Sequence, residues 1–422
     1  MHKRLALLFL TVSLIIPFSV SGQKQVNSPF SRFNLGILEP SGSFRSLGMG
    51  GTGTAIRDNS SIYFSNPASY SSIDTNSFIF DFGIDYGWNL LSDGESNHSS
   101  GDLNFDHLLM GFPVSRKIGV ATGLYNLSNG YYKISESGND PIAGGYSSYH
   151  AGSGGLTSFF LGSGISITKN ISAGVNMSLL FGSVRRTNEL YFDDYSNVYH
   201  DNITENLQIT GLNFDYGLQY ATPLKKNYFI NAGVAVSTGK HYKSSYENLA
   251  FRFTAFGGSD TIPNGYQFDD TTRAYIPGTL RMGLAFGKKN KLTASVDIVM
   301  TKWSKAKFRD SEGHLGNTKG LYIGAEYIPE KYSNYSFLKR LEYRIGGHVE
   351  DNYLVLNGIQ AKEYGASCGL GIPMKVLSKT NLFFDFTRKS YSGTAFSHYE
   401  NYFTFGISLN LHDWWFIKPK YD

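Results

Sequence analysis

The sequence predicts an all-β protein: a transmembrane antiparallel β-barrel of about 14 strands with an N-terminal plug in its lumen. Three observations lead to this prediction. Apolar and polar side chains alternate in segment after segment between residues 76 and 411. Nine acidic and arginine side chains within these segments fall on the polar side of the alternation. After the N-terminus, no segment supplies the run of about 18 apolar residues that a membrane helix needs.

The N-terminal residues 1–22 are predicted to be a signal peptide. Lys3 and Arg4 precede an apolar run over residues 5–16, and small residues follow over residues 19–22. This order of a basic start, an apolar stretch and a small-residue exit is typical of exported proteins. The mature chain is therefore expected outside the cytoplasm.

Residues 23–75 do not alternate, and they are the predicted plug. They contain the glycine-rich stretch SLGMGGTG (46–53) and, further on, Asn66-Pro67-Ala68. A flexible tail and a periplasmic docking arm are the alternatives. The small residues and the lack of a low-complexity run favour a compact piece packed against a wall, because glycine lets backbone approach closely.

The barrel is predicted over residues 76–411. In its first strand, Phe78, Phe80 and Phe82 share one face, while Asp81 and Asp85 share the other. Successive residues of a strand point to opposite faces, so one face would meet lipid and the other a polar lumen. The predicted strands are 77–91, 103–113, 117–127, 156–168, 171–184, 207–221, 227–239, 277–287, 291–303, 317–329, 338–351, 361–373, 380–390 and 399–411.

Charge placement supports this register. A charge on the lipid face costs up to about 2–4 kcal/mol at the bilayer midplane, so charges should avoid it. The charged residues on the polar face are Asp81, Asp85, Asp215, Arg281, Asp297, Glu326, Glu342, Arg344 and Asp385. Of these, Asp81, Asp85, Arg281, Glu342 and Arg344 are predicted to line the lumen wall beside the plug.

Short and long connections alternate along the chain. Short turns are expected to face the periplasm and long polar loops the exterior, the largest loops being 128–155, 185–206 and 240–276. Four tryptophans, Trp88, Trp303, Trp414 and Trp415, fall near strand ends, where a bilayer interface favours them. Residues 412–422 are predicted to be a periplasmic C-terminal tail, either loose or a docking peptide.

Composition excludes several classes of protein. The net charge is +4, or +2 without Lys3 and Arg4, which argues against nucleic-acid binding. Cys368 is the sole cysteine, so no internal disulfide can form. GMGGTG (48–53) matches a dinucleotide-binding pattern, but the strand and helix which that pattern needs are absent from the prediction. No metal site, cofactor or catalytic group is predicted, and the protein is not expected to be an enzyme.

Three motifs in order resemble the FadL/TodX family of outer-membrane transport proteins. They are the glycine-rich stretch ending in Asn-Pro-Ala (46–70), YIPGTLRMGLAF (275–286) and DIVMTKWSK (297–305). The resemblance implies a fourteen-stranded barrel with a plug, called the hatch, and a gap in the barrel wall. It also implies a hatch site at Gly48, Gly50, Gly51, Gly53, Asn66, Pro67 and Ala68.

The resemblance further implies passive uptake of small hydrophobic or amphipathic compounds, such as long-chain fatty acids or aromatic hydrocarbons, across the outer membrane of a Gram-negative bacterium. The outer loops depart from the family pattern, because residues 128–154 are polar and not helical. Tyr-rich polar loops suit a protein surface. The alternative is therefore an accessory subunit of a protein secretion or assembly system, with a secretion channel or a periplasmic protein as partner. Outer-membrane lipid is a partner in both hypotheses, and nucleic acid in neither.

Overall fold

The computed structural model describes residues 28–92, 97–142, 144–193, 199–254, 259–308, 315–356, 358–374, 378–392 and 397–414. The predicted signal peptide and the end of the predicted tail, residues 415–422, lie outside these ranges.

The described residues form nineteen strands in one antiparallel sheet. The strands are β1 Ile37–Leu38, β2 Ser77–Ser92, β3 Asn97–Pro113, β4 Ile118–Asn129, β5 Tyr132–Asp140, β6 Gly144–Ser166, β7 Ile171–Phe192, β8 His200–Pro223, β9 Tyr228–Ser237, β10 Lys240–Phe253, β11 Ser259–Asp269, β12 Arg273–Ile276, β13 Thr279–Lys288, β14 Leu292–Thr301, β15 Thr318–Tyr327, β16 Glu342–Leu356, β17 Ile359–Pro373, β18 Lys379–Ser392 and β19 Ser397–Trp414.

Fourteen of these strands close into a barrel, which confirms the predicted fold class. The last strand pairs with the first wall strand over its whole length, from Tyr399↔Ser92 to Trp414↔Ser77. The wall follows the order β2, β3, β4, β6, β7, β8, β9 and β13 to β19. Closure joins the first and last wall strands, whose edges would otherwise leave unpaired backbone groups at membrane depth at a cost of several kcal/mol each.

The alternation predicted from the sequence is present in the wall. Along β7, Val175, Met177 and Leu179 point outward and are each about two-fifths exposed. Inward positions are buried, among them Asp81 and Asp297. The outer surface is therefore apolar and the inner surface polar, as a bilayer requires.

The prediction of long polar loops at 128–155, 185–206 and 240–276 is wrong. Most of these residues are in strands, because β6, β7 and β8 continue past the bilayer and pair there with β5 and β10. β11 and β12 pair with β10 in turn. Alternating Ser, Thr and Tyr residues favour strands, and water on both faces hides the hydrophobic pattern from which strands are usually predicted.

Helical structure in the described residues is short. One α-helix, α1, spans Phe44–Leu47. Single 3₁₀ turns occur at Pro29–Arg32, Pro67–Ser72, Lys225–Asn227, Trp303–Lys305 and Leu338–Arg340. Among the described residues, none of the helices has the length and apolar character to cross a membrane.

The two ends of the barrel differ. The connections 114–117, 167–170, 224–227, 289–291 and 328–341 lie at one end, here called the turn end. The other end, from which β5 to β8 and β10 to β12 project, is called the loop end.

Trp303 departs from its expected position at a bilayer interface. Its side chain is buried, and its ring packs on Tyr353 with a centroid distance of 5.1 Å. Trp88 and Trp414 are about two-fifths exposed, as an interfacial position requires, and Trp415 lies outside the described residues. Trp303 turns inward because β14 ends at Thr301 and a 3₁₀ turn follows.

A charge at bilayer depth tests the lipid-facing assignment. We expect Met177→Arg to lower the free energy of unfolding in lipid vesicles by about 2–4 kcal/mol, because its side chain faces the hydrocarbon. Tyr266→Arg, on an outward-projecting strand and 56% exposed, is the control and should cost less than about 1 kcal/mol. Equal costs for the two variants would contradict the assignment.

Candidate functional site

The segment before β2 lies inside the barrel and runs along it from the loop end to the turn end. At the loop end, the Ser28 hydroxyl donates a hydrogen bond to Glu400 of β19 at 2.6 Å. Near the middle, Phe44 packs on Phe383 of β18. At the turn end, the 3₁₀ turn Pro67–Ser72 contacts β4, β6, β7 and β8 before β2 begins.

The predicted hatch residues lie directly against backbone of the wall. Asn66 caps the turn Pro67–Ser72 by accepting a hydrogen bond from the Ala68 amide, and its own amide group donates to the Thr54 carbonyl at 2.8 Å. Ala68 and Asn66 are fully buried. Asn66 therefore ties the two halves of the hatch motif together, a role that its side chain can fill because it both donates and accepts.

Glycines of the wall make this close contact possible. A Cβ at Gly174 or Gly217 would collide with Pro67, and one at Gly233 would collide with Thr54. Closer to the N-terminus of the plug, Met49 and Gly50 lie against the wall glycines Gly324 and Gly346, which leave room for them. We call these five glycines the glycine belt. Strand glycines commonly mark such an approach of a second backbone.

The four predicted hatch glycines have different surroundings. Gly50 and Gly51 have φ of +69° and +87°, a region that glycine tolerates best. The Gly50 amide donates to the Ser367 hydroxyl at 2.9 Å. Gly48 lies against Gly369 of β17, and the Gly53 amide donates to a carboxylate of the wall.

That carboxylate belongs to Asp297 of β14. One oxygen of Asp297 accepts from the amides of both Gly53 and Thr54, each at 2.8 Å. The side chain is almost completely buried. Asp297 was expected to face the lumen, but its contact with the plug backbone was not predicted.

A buried chain of charges fixes the plug more strongly. Arg45 of α1 donates from Nε and a terminal nitrogen to the two oxygens of Glu326, at 3.0 and 2.7 Å. Glu326 also accepts from Arg344 at 2.7 Å, and Arg344 pairs in turn with Glu342. The chain ends at Asp58 on the plug side, 3.0 Å from Arg45, and at Lys379 on the wall side.

Three acids alternate with three bases in this chain of charges. Buried charges are tolerated only when they are paired and hydrogen-bonded, and here each one has an opposite neighbour. The Arg45 guanidinium holds the pKa of Asp58 below its usual range, although burial alone would raise it. Asp58 and Arg45 are therefore both charged in the folded protein.

The other predicted wall residues have separate positions. Arg281 contacts the plug directly, through the Ser41 hydroxyl at 3.4 Å. Asp81 interacts with His107 and Asn410, both in the wall, and Asp85 lines a cavity. Only Arg344 and Glu342 of the predicted wall set join the chain of charges. Arg45 and Glu326, which connect plug to wall, were not predicted as site residues.

A cavity of about 410 Å³ lies between the plug and the wall. Phe44, Leu47 and Phe64 of the plug form part of its lining, together with Tyr322 and Trp303 from the wall side. Its charged lining is mostly acidic: Glu39, Asp85, Asp106, Asp215, Glu350, Asp351, Glu363 and Asp385 are joined by the bases Arg281 and Lys389.

Glu39 of the plug is one of the cavity acids. Burial raises its pKa to about 7; Asp106 acts in the same direction and Lys389 opposes it. Glu39 therefore holds a proton for much of the time near neutral pH, which reduces the negative charge of the cavity. Among the described residues, no group of three or more His, Cys, Asp or Glu side chains is placed to hold a metal ion.

Wall pairing is interrupted beside this cavity. Among the described residues, β3 pairs with β4 only from His107 to Pro113. Beyond this point β4 pairs instead with β1 of the plug, and the Asn126 amide group donates to the Phe105 carbonyl at 2.7 Å. Residues 104, 106, 125, 127 and 129 on either side of the interruption line the cavity.

At the loop end an apolar cluster joins the plug to the rest of the chain. Phe30 and Leu35 of the plug pack there with buried residues that include Tyr242 of β10, Trp303 and Tyr353 of β16. The Tyr353 hydroxyl also donates to the Gly36 carbonyl. The plug is therefore held at the loop end as well as at the turn end.

Comparison with known proteins gives one family and one fold. A family model described as BamG matches residues 1–422. None of the curated proteins gives a significant sequence match.

Solved structures with the same fold are distant in sequence. The P. putida toluene transporter TodX has a TM-score of 0.59 and 14% identity, over 90% of this chain and 100% of its own. A Pseudomonas aeruginosa FadL homologue has a TM-score of 0.58 and 11% identity, over 88% and 98%. The CymD monoaromatic hydrocarbon channel has 0.56 and 13%, over 90% and 99%. The fold expected from the FadL/TodX resemblance is thus confirmed.

The buried pair between plug and wall gives a first prediction. Arg45→Met should speed hydrogen exchange of the amides over residues 44–56, because losing one partner of a buried pair costs up to about 3–5 kcal/mol. Arg252→Met is the control, since its pair with Asp260 is partly exposed and worth no more than about 1 kcal/mol. Unchanged exchange in Arg45→Met would show that the pair does not anchor the plug.

The glycine belt gives a second prediction. Gly174→Ala should lower the thermal unfolding temperature in detergent, since the added Cβ collides with Pro67 and overpacking costs about 1–3 kcal/mol. Gly347→Ala is the matched control, because its Cβ would meet one neighbour, the Gly365 carbonyl oxygen, at 3.1 Å. If both variants have the same unfolding temperature as the unchanged protein, the plug does not pack tightly against the wall at Gly174.

Proposed function

We propose that this chain, which belongs to the BamG family, is an outer-membrane channel for passive uptake of small hydrophobic or amphipathic compounds in a Gram-negative bacterium. The plugged fourteen-stranded fold supports this proposal. The proposal places the turn end in the periplasm and the loop end outside. It needs no catalytic group, because movement down a concentration gradient requires only a path.

The cavity between plug and wall is the observation on which this proposal depends. A binding site for a small molecule is usually a concave space lined by apolar and aromatic side chains with a few polar groups. The cavity has part of this character: it is concave and has aromatic side chains, among them Phe44, Phe64 and Tyr322, beside the charged groups named above. Its volume of about 410 Å³ suits one small ligand.

The charge of the cavity favours some ligands over others. Eight acids against two bases make it a poor site for a carboxylate, even with Glu39 partly protonated. An uncharged aromatic or amphipathic molecule would pack on the aromatic lining without this repulsion. Within the proposed class we therefore favour uncharged compounds over ionised fatty acids.

The interruption between β3 and β4 supplies a path through the wall. It opens beside the cavity, where Asn104 and Leu127 line the space from the two strands. An apolar ligand could leave sideways into lipid without crossing the polar part of the lumen near the turn end. The chain of charges around Arg45 lies in that part and would stay intact. Relatives described as hydrocarbon channels and a toluene transporter have the same fold, which supports the proposal.

The projecting sheet supports a second candidate function, an accessory subunit of protein secretion or assembly. β8 has 24 residues, whereas about 9–11 residues suffice to cross a bilayer. The projecting strands present exposed aromatic side chains, among them Tyr149 of β6 and Tyr266 of β11. Such a sheet could dock a protein, and a firmly held plug suits a partner subunit as well as a channel.

Uptake into liposomes distinguishes the two functions. Liposomes that contain the protein should take up labelled toluene faster than empty liposomes. For labelled palmitate, the increase in uptake rate over empty liposomes should be smaller. Ser65→Trp should return uptake to the rate of empty liposomes, because residue 65 is on the plug and lines the cavity. Ser115→Trp, in an exposed turn away from the cavity, is the control and should transport normally.

Equal uptake by the unchanged protein and Ser65→Trp would refute transport through this cavity. Uptake no faster than that of empty liposomes, together with co-purification of a large complex that depends on β10 and β11, would establish the second function instead.

A further inference from the structure

The turn end carries a large excess of basic residues. The connections 114–117, 167–170, 224–227, 289–291 and 328–341 contain ten Lys and Arg residues and one acid, Glu330. The whole chain has 38 Lys and Arg against 34 Asp and Glu. The net positive charge of these five connections is therefore larger than the net charge of the whole protein, which is +4. The remainder of the chain has a net negative charge.

Most of these bases are exposed, and most have no acidic partner in the part of the chain that the structure describes. Among the described residues, their only ion pair joins Lys339 to Glu330 at 3.5 Å, and both side chains are more than half exposed. Lys331 donates to the amide oxygen of Asn290. The positive charge of the turn end is thus not neutralised by neighbours within the described chain.

Apolar side chains accompany the bases in the same connections. Val114, Ile167 and Leu224 are between 43% and 62% exposed, and Leu338 is 64% exposed beside Lys339 and Arg340. Each of these connections thus presents aliphatic surface next to a positive charge. This combination is typical of the boundary between hydrocarbon and headgroups, where long basic side chains reach toward phosphates.

The bases are also spread around the rim. The five connections join strands from β3 to β16, which together make up most of the wall. A folded protein partner would favour one contiguous patch. A plane of lipid headgroups meets every turn at the same depth.

We propose that the turn end is a binding surface for anionic phospholipid headgroups of the leaflet that it faces. Basic residues near an anionic leaflet attract its lipids, and salt weakens this attraction. This surface is distinct from the cavity, so the inference does not rest on the proposed channel function. The bound lipids would hold the barrel at a fixed depth.

Lipid composition around the barrel tests the proposal. The protein is placed in nanodiscs of equimolar phosphatidylglycerol and phosphatidylcholine, and the lipids that stay bound are counted by native mass spectrometry. We expect phosphatidylglycerol to be enriched over its share of the nanodisc. The enrichment should shrink when the nanodiscs are prepared at about 0.5 M salt, where the Debye length is only a few ångströms.

Two variants with four substitutions each provide the comparison. The turn-end variant carries Lys225→Gln, Lys226→Asn, Lys289→Gln and Lys291→Gln; Asn is chosen because residue 226 has φ of +60°. The loop-end control carries Lys243→Gln, Lys302→Gln, Lys305→Gln and Lys307→Gln, which are also exposed. The control should keep the enrichment, and the turn-end variant should lose most of it.

If the turn-end variant fails to fold, Arg116→Gln with Lys117→Gln replaces it and should lose part of the enrichment. No enrichment in the unchanged protein, or full enrichment in the folded turn-end variant, would overturn the proposal. A turn-end variant that keeps its lipids but loses a co-purifying acidic periplasmic protein would also overturn it and identify a protein as the partner.

Discussion

Pairing between the last strand and the first is the interaction on which the rest of this structure depends. Sixteen residue pairs join β19 to β2, and through them these two strands lose their free edges. Lipid offers no hydrogen bonds, so an open sheet would leave a row of backbone groups unsatisfied. Closure then sets the chemistry of each face. The outside must be apolar along every strand, and charged residues can lie only in the enclosed lumen.

The enclosed lumen creates a second requirement, since a wide polar tube would let solutes pass freely. The plug fills it, and its contacts are of two kinds. Where the plug backbone touches the wall, glycines remove the side chains that would keep the two apart. Where side chains meet, Arg45 and Asp297 supply charged hydrogen bonds that water cannot replace inside the protein. The plug is held firmly at the turn end, and the cavity lies between this part and the apolar cluster near Phe30.

The sequence predicted the wall well because alternation records which face meets lipid. It predicted the inward acids for the same reason, but not their partners: Glu326 and Asp297 were placed on the correct face, whereas their contacts with Arg45 and Gly53 depend on tertiary structure. Arg45 was missed because it directly precedes the recognisable motif that begins at Ser46. The wall glycines gave no signal, since a glycine on the polar face is compatible with any lumen. Strands β5 and β10 to β12 were missed because water on both faces removes the pattern.

The glycine belt also limits how far the plug can travel. A stretch of wall without side chains is wider than the rest of the tube, so complete departure of the plug would open a broad aqueous hole. Such a leak would defeat the barrier of the membrane that the barrel spans. The sizes of the two parts are therefore linked, because a larger residue at Gly174 demands a smaller plug and a smaller plug leaves a leak. The plug can therefore make only small tilts, in which its backbone stays in contact with the backbone of the wall.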